Sequence, residues 1–189
     1  MKIRFPRRQR GAMFGLDARI ALAIMGALSV IAGTALVGNI GIFKGQGLSQ
    51  EIKAITAAVE GLQEDIGGGI YENLASSNAT NAFMALIDSS VLNTGKPQDK
   101  WLGPYIKLDS NEHPQYGTMT LIRASQDDYT DTSCGRQCFL WLTLATVPDT
   151  VFSQLNKDID GSEGSPETTG RVRHAASNGM LYVRLTKTL

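Results

Sequence analysis

The chain has 189 residues, enough for one domain and a long helix, and its 18 basic and 18 acidic side chains cancel. The balance is uneven along the chain: the first 12 residues hold Lys2, Arg4, Arg7, Arg8 and Arg10 and no acid. Without them thirteen basic groups face eighteen acidic ones, which excludes a chain-wide electrostatic footprint for nucleic acid; no nucleic-acid partner is expected.

After the basic start come two small residues, Gly11 and Ala12, then Met13, Phe14, Leu16 and a lone acid, Asp17. From Ile20 to Val37 no side chain is charged. In a helix that run of about 18 residues nearly spans a hydrocarbon core about 30 Å thick. An ordinary secretory signal places its small-residue cleavage site after the apolar run and so discards the run. Here the site precedes the run, and a cut would remove only the charges. The Arg7-Arg8 pair does not argue for a twin-arginine signal, because the apolar stretch carries its own Asp17 and Arg19.

This order resembles the type III signal of type IV pilins and of type II secretion pseudopilins. The resemblance implies that a prepilin peptidase cuts before the helix and methylates the new N-terminus. Cutting after Ala12 makes Met13 the first mature residue and Asp17 the fifth, where the family prefers Glu. Cutting after Gly11 keeps the family's Gly but puts Leu16 fifth. The first position is preferred, because an acid there has a mechanical role in pairing with the α-amino group of Met13 on a neighbouring subunit. Asp17 in or beside a bilayer costs roughly 2.5 kcal/mol at mid-depth, so such a group usually marks function. The alternative is pairing with Arg19 or interfacial water.

The helical pattern continues. Leu48, Ile52, Ile55, Val59, Leu62 and Ile66 step by four and three and form one apolar stripe. Gly38, Gly41, Gly45 and Gly47 lie between the two halves, where each weakens a helix by about 1 kcal/mol, so the middle is where the helix could bend or melt. Gly67-Gly68-Gly69 ends the helix. The organisation expected is a leader over 1–12, a long helix over 13–66 with 14–37 as membrane or filament core, and a globular head over 67–189.

In the head, a second helix is expected over Asn78–Leu92, closed by Gly95 and Pro97. The segment Asp99-Lys100-Trp101-Leu102-Gly103-Pro104-Tyr105 resembles the Asp-Pro-Trp-Gly-x-Pro-Tyr segment of pseudopilin heads, with Lys100 and Leu102 replacing two of its residues. Strands are expected at 118–123, 138–146 and 180–185. Pro148 suits the start of a short helix with Val151, Phe152 and Leu155 inward. The fold class expected is therefore α+β, a long helix packed on a small antiparallel sheet, as in pilins.

Cys134 and Cys138 fall in the part expected outside the cytoplasm, where an even count reads as a disulfide. So short a closed loop adds only about 2 kcal/mol. The histidines, His113 and His174, lie too far off in sequence to suggest a shared metal site. Asp158, Asp160 and Glu163, with a turn glycine, suit a hard cation, so Ca2+ is a candidate cofactor; the competing reading is a solvated acidic turn. Ser133 and Ser153 lack a Gly-x-Ser-x-Gly context. Arg171, Arg173, Arg184 and Lys187 read as a solvated basic face rather than a DNA-uptake patch.

These readings point to a structural subunit, not an enzyme: a homo-oligomer built through the N-terminal helix into a type IV pilus. Its expected partners are the prepilin peptidase, an assembly platform and, before assembly, the bacterial inner membrane, with the head in the periplasm. The alternatives are a type II secretion pseudopilin and, from another class, a signal-anchored periplasmic enzyme or sensor domain.

Overall fold

The computed structural model describes residues 14–161, 169–175 and 178–189, with backbone only at 14–17, 34–39 and 136. The chain divides into two compact units, one up to Ile40 and one from Gly41 to the last residue. Helix α1 runs over Phe14–Ile66. In the first unit its side chains between 18 and 33 are exposed. Among the described residues no helix is long and apolar enough to cross a membrane; of the expected membrane stretch, the side chains of 14–17 and 34–37 lie outside the described residues.

In the second unit the expected stripe is buried in full: Leu48, Ile52, Ile55, Val59, Leu62 and Ile66 all lie in the core. Each such burial is worth about 1.5–3 kcal/mol, which outweighs the helix weakness of the glycines before it. The helix ends where the triple glycine begins. Gly67 takes a left-handed conformation, and the amides of Gly67 and Gly68 both donate to the Gln63 carbonyl at 3.0 and 3.2 Å.

The helix expected over Asn78–Leu92 is shorter than its apolar pattern. Asn78 caps helix α2, Ala79–Met84, by accepting the Asn81 amide. The turn then breaks at Asp88, whose carboxylate accepts both the amide and the hydroxyl of Ser90 and starts a separate 3-10 turn at Ser89–Val91. Asp and Ser side chains compete with the backbone ladder in this way. A short α3 follows at Lys96–Asp99.

The sheet has five antiparallel strands: β1 Glu112–His113, β2 Gly117–Ala124, β3 Phe139–Leu144, β4 Val172–Ala175 and β5 Met180–Lys187, in the order β1-β2-β3-β5-β4. The three expected strands are present, as β2, β3 and β5. Helix α4, Asp149–Asp160, follows Pro148 and buries Val151, Phe152 and Leu155 as expected. The inner sheet face, with Met119, Leu121, Leu140, Leu142, Leu144, Leu181 and Val183, shares one core with the α1 stripe, α2 and α4.

Candidate functional site

The region that sequence singles out, α1 and its attachment to the sheet, is held at three places in the second unit. The first is Trp101–Tyr105. Trp101 donates its indole N–H to the Ala85 carbonyl at 2.8 Å, and the Tyr105 amide donates to the Leu86 carbonyl at 2.8 Å, which fixes the segment to the end of α2. The Tyr105 hydroxyl then donates to the Asp65 carboxylate of α1 at 2.5 Å. Burial, and next the bond to Asp65, push this phenol up to about 12. The two rings meet edge to face, with centroids 5.8 Å apart. A Cβ on Gly103 would sit 2.6 Å from the Trp101 ring and 2.8 Å from that of Tyr105. The glycine in this segment is thus required by the closure of the two aromatics.

The second place is the glycine-rich middle of α1. The helix does not melt there: it is continuous through the glycines. A Cβ at Gly45 would lie 2.6 Å from Gln154 Cβ, and one at Gly41 would lie 3.2 Å from Thr150 Cβ. These glycines, one turn apart, let α1 and α4 pack closely.

The third place is His113. Its Nδ1 accepts the amides of Gln115 and Tyr116 at 3.0 and 3.1 Å, so its proton sits on Nε2, which donates to the Glu51 carboxylate of α1 at 2.9 Å. Its ring stacks on Tyr116. The other histidine, His174 on β4, is buried. Its Nε2 donates to the Val147 carbonyl, its Nδ1 lies 3.3 Å from Asp149, and Phe152 stacks on it.

The sequence-derived site residues fare differently. Gly11, Ala12 and Met13 lie outside the described residues, as do the side chain of Asp17 and all of Glu163. Cys134 and Cys138 lie at disulfide distance, with Cα atoms 5.1 Å apart, bracketing a 3-10 turn just before β3. Asp158 and Asp160 are in the last turn of α4, not in a loop. Asp158 accepts from the Gln154 amide group, and Asp160 accepts the backbone N–H groups of Arg171 and Val172 at 2.9–3.1 Å, tying the end of α4 to the start of β4. Among the described residues, no group of three or more His, Cys, Asp or Glu side chains is arranged to hold a metal ion.

Of the basic face, Arg171 and Lys187 are exposed as expected, but Arg173 and Arg184 are not. Arg173 is buried, stacks over Trp141 at 5.1 Å and donates to the Asp127 carbonyl. Arg184 lies over Phe139 and Trp141 and donates to the Gln126 carbonyl. Tyr129 stacks on Tyr182 with centroids 3.9 Å apart, and Trp141 donates its N–H to the Ser125 carbonyl. The 125–131 segment is thereby fastened over the outer sheet face, which is why β3 is buried on both sides.

Sequence reading missed the Glu51–His113 and Asp65–Tyr105 pairs. Both join residues far apart in sequence, and only the Trp-Leu-Gly-Pro-Tyr segment gave a signal for either. No protein-family model, no curated protein and no solved structure matches this chain.

Proposed function

We propose that this chain is a pilin-like structural subunit, processed by a prepilin peptidase after Ala12, that polymerises through its N-terminal helix into a type IV pilus. One observation carries the reading. Ile20, Leu22, Ile24, Met25, Leu28 and Val30 of α1 are all exposed, and at the helical step of about 100° they point all round the helix. A helix apolar on every side is stable only when covered, by lipid or by protein. The uncharged run continues to Val37. In this reading lipid covers the helix before assembly, and neighbouring helices cover it in the filament. The head folds on the C-terminal half of α1 and stays outside the cytoplasm.

Asp17 supplies the registration. Its carboxylate meets the Met13 amine of a neighbouring subunit in an apolar interior, where opposite charges attract strongly and either one left alone is penalised. The pseudopilin reading uses the same mechanism, and the Trp101–Tyr105 segment favours it. Expression in a host that has a pilus assembly machinery and lacks a type II secretion system separates the two, since only a pilus subunit should yield long surface filaments there.

The test has two parts. The protein isolated from membranes should have the mass of a chain starting at a methylated Met13; an intact leader overturns the proposal. Asp17→Ala should then leave the mature membrane pool unchanged and lower the yield of sheared filaments at least tenfold, while Asp17→Glu is tolerated. Normal filaments from Asp17→Ala would refute the pairing.

A further inference from the structure

The unit that begins at Gly41 carries a concave apolar surface beside α1. Ala54 and Ile55 face Ile106, Leu108 and Met119 across a hollow of about 520 Å³. A second hollow of about 300 Å³, lined by Phe43, Gly47, Leu48 and Tyr116, adjoins it, and the two share Glu51, His113 and Gln115. Together they form one groove along α1 from Phe43 to Ile55, roughly 18 Å of helix at 1.5 Å per residue.

We propose that this groove receives the 18–33 segment of a second copy of the chain. The inference rests on the assembly reading above and names the surface that the helix meets. The exposed apolar segment, roughly 24 Å long, is long enough to fill the groove from end to end. The segment is uncharged from Ile20 onward, and the two ionisable groups that cross the groove, Glu51 and His113, are bonded to each other at 2.9 Å. The Glu51 carboxylate, the one charge at the groove centre, keeps the His113 N–H as its partner under the covering helix, while Lys44 and Lys107 sit at the exposed rim.

Area decides between a dimer and a chain. A helix about 10 Å wide, sunk to half its depth over 18 Å, buries roughly 280 Å² of itself and as much of the groove. That total of roughly 560 Å² is below the roughly 1,000 Å² of a specific stable pair. A single contact does not hold two free copies together. The two surfaces also differ, so the contact is head-to-tail and leaves one helix and one groove open at the ends. Each interior copy makes the contact twice, and growth continues where a self-complementary contact would stop at two.

The experiment is disulfide trapping in filaments of the full chain. One copy carries a cysteine substitution at Leu22, Met25 or Leu28, taken in turn, and a co-expressed copy carries Ala54→Cys, on the exposed flank that lines the groove. Glu60→Cys, on the opposite flank of α1, is the control. At least one of the three positions should give a mixed disulfide dimer with Ala54→Cys and at least tenfold less with Glu60→Cys. A bulky charge in the groove, Ala54→Glu, should cut filament yield at least tenfold while the head melts at the wild-type temperature. Wild-type filaments with no trapping at position 54, or equal trapping at 54 and 60, overturn the groove assignment but leave the assembly reading standing. Absence of wild-type filaments, with an uncut leader, removes that reading and this one with it. A photo-crosslinker at position 54 that captures lipid or another protein instead of this chain also overturns the assignment.

Discussion

Replacing Gly45 by alanine should destabilise the head, although glycine is the weaker helix former. In the interior of α1 the substitution gains about 1 kcal/mol of helix propensity. The new Cβ would sit 2.6 Å from Gln154 Cβ, 2.7 Å from its Cγ and 3.2 Å from the Val151 carbonyl oxygen. Carbon atoms pack at about 3.5–4.0 Å, so α4 has to retreat by about 1 Å. The atoms in the way are a Cβ and a backbone oxygen, not the free end of a side chain. Such overpacking costs about 1–3 kcal/mol, here by loosening Val151 and Leu155 in the core. The net is a loss of about 1 kcal/mol. Gly47→Ala is the internal control: it lies in the same helix, nothing stands within 4 Å of its Cβ, and it should gain about 1 kcal/mol. Thermal and urea unfolding of residues 41–189, the unit that holds the whole core, reads both. At about 2–4 °C per kcal/mol the two variants should move the midpoint in opposite directions, about 4–8 °C apart. Gln154→Gly should make Gly45→Ala tolerable, a coupling of about 1–2 kcal/mol. If Gly45→Ala stabilises as much as Gly47→Ala, α1 and α4 are not in close contact and the role given to these glycines is wrong.

Tyr105→Phe removes the donor to Asp65 and should cost about 1 kcal/mol at neutral pH, since the group is only partly shielded from water. It also changes the alkaline limb. The folded phenol is raised to about 12 by burial and Asp65, whereas an unfolded tyrosine ionises near about 10, so this stabilisation is full below pH 10 and is lost as pH rises through 12. The wild-type minus variant difference in melting temperature should shrink over that window; a constant difference would refute the assignment. Asp160→Ala strands the amides of Arg171 and Val172 and should cost about 1–2 kcal/mol equally in calcium and in chelator. A stabilisation by calcium that disappears in the variant would instead make Asp160 a cation ligand.

Local periodicity in the sequence determined the C-terminal half of α1, down to its last residue. The stripe from Leu48 to Ile66 recurs at the helical period, and three glycines follow it, so the buried face and the stop need no partner to be identified. The same holds for β2, β3, β5 and α4, whose alternation or capping is written within a dozen residues. The cysteine pair was legible from its count, since two cysteines allow one pairing. Tertiary structure decided the features whose partners are distant along the chain. Gly41 and Gly45 read as weak points until α4 is seen against them. Arg173 and Arg184 read as solvated charges, because nothing near them announces that the 125–131 carbonyls and Trp141 will cover them. β4 was hidden by those same charges, since a four-residue strand with Arg173 and His174 has no apolar alternation and exists through its pairing with β5. Asp160 looked like a cation ligand from its neighbours in sequence, yet in the fold its carboxylate takes backbone donors from residues eleven and twelve positions on. A side chain's chemistry is set by its type, but whether it meets water, a carbonyl or a ring depends on long-range packing that no local pattern records.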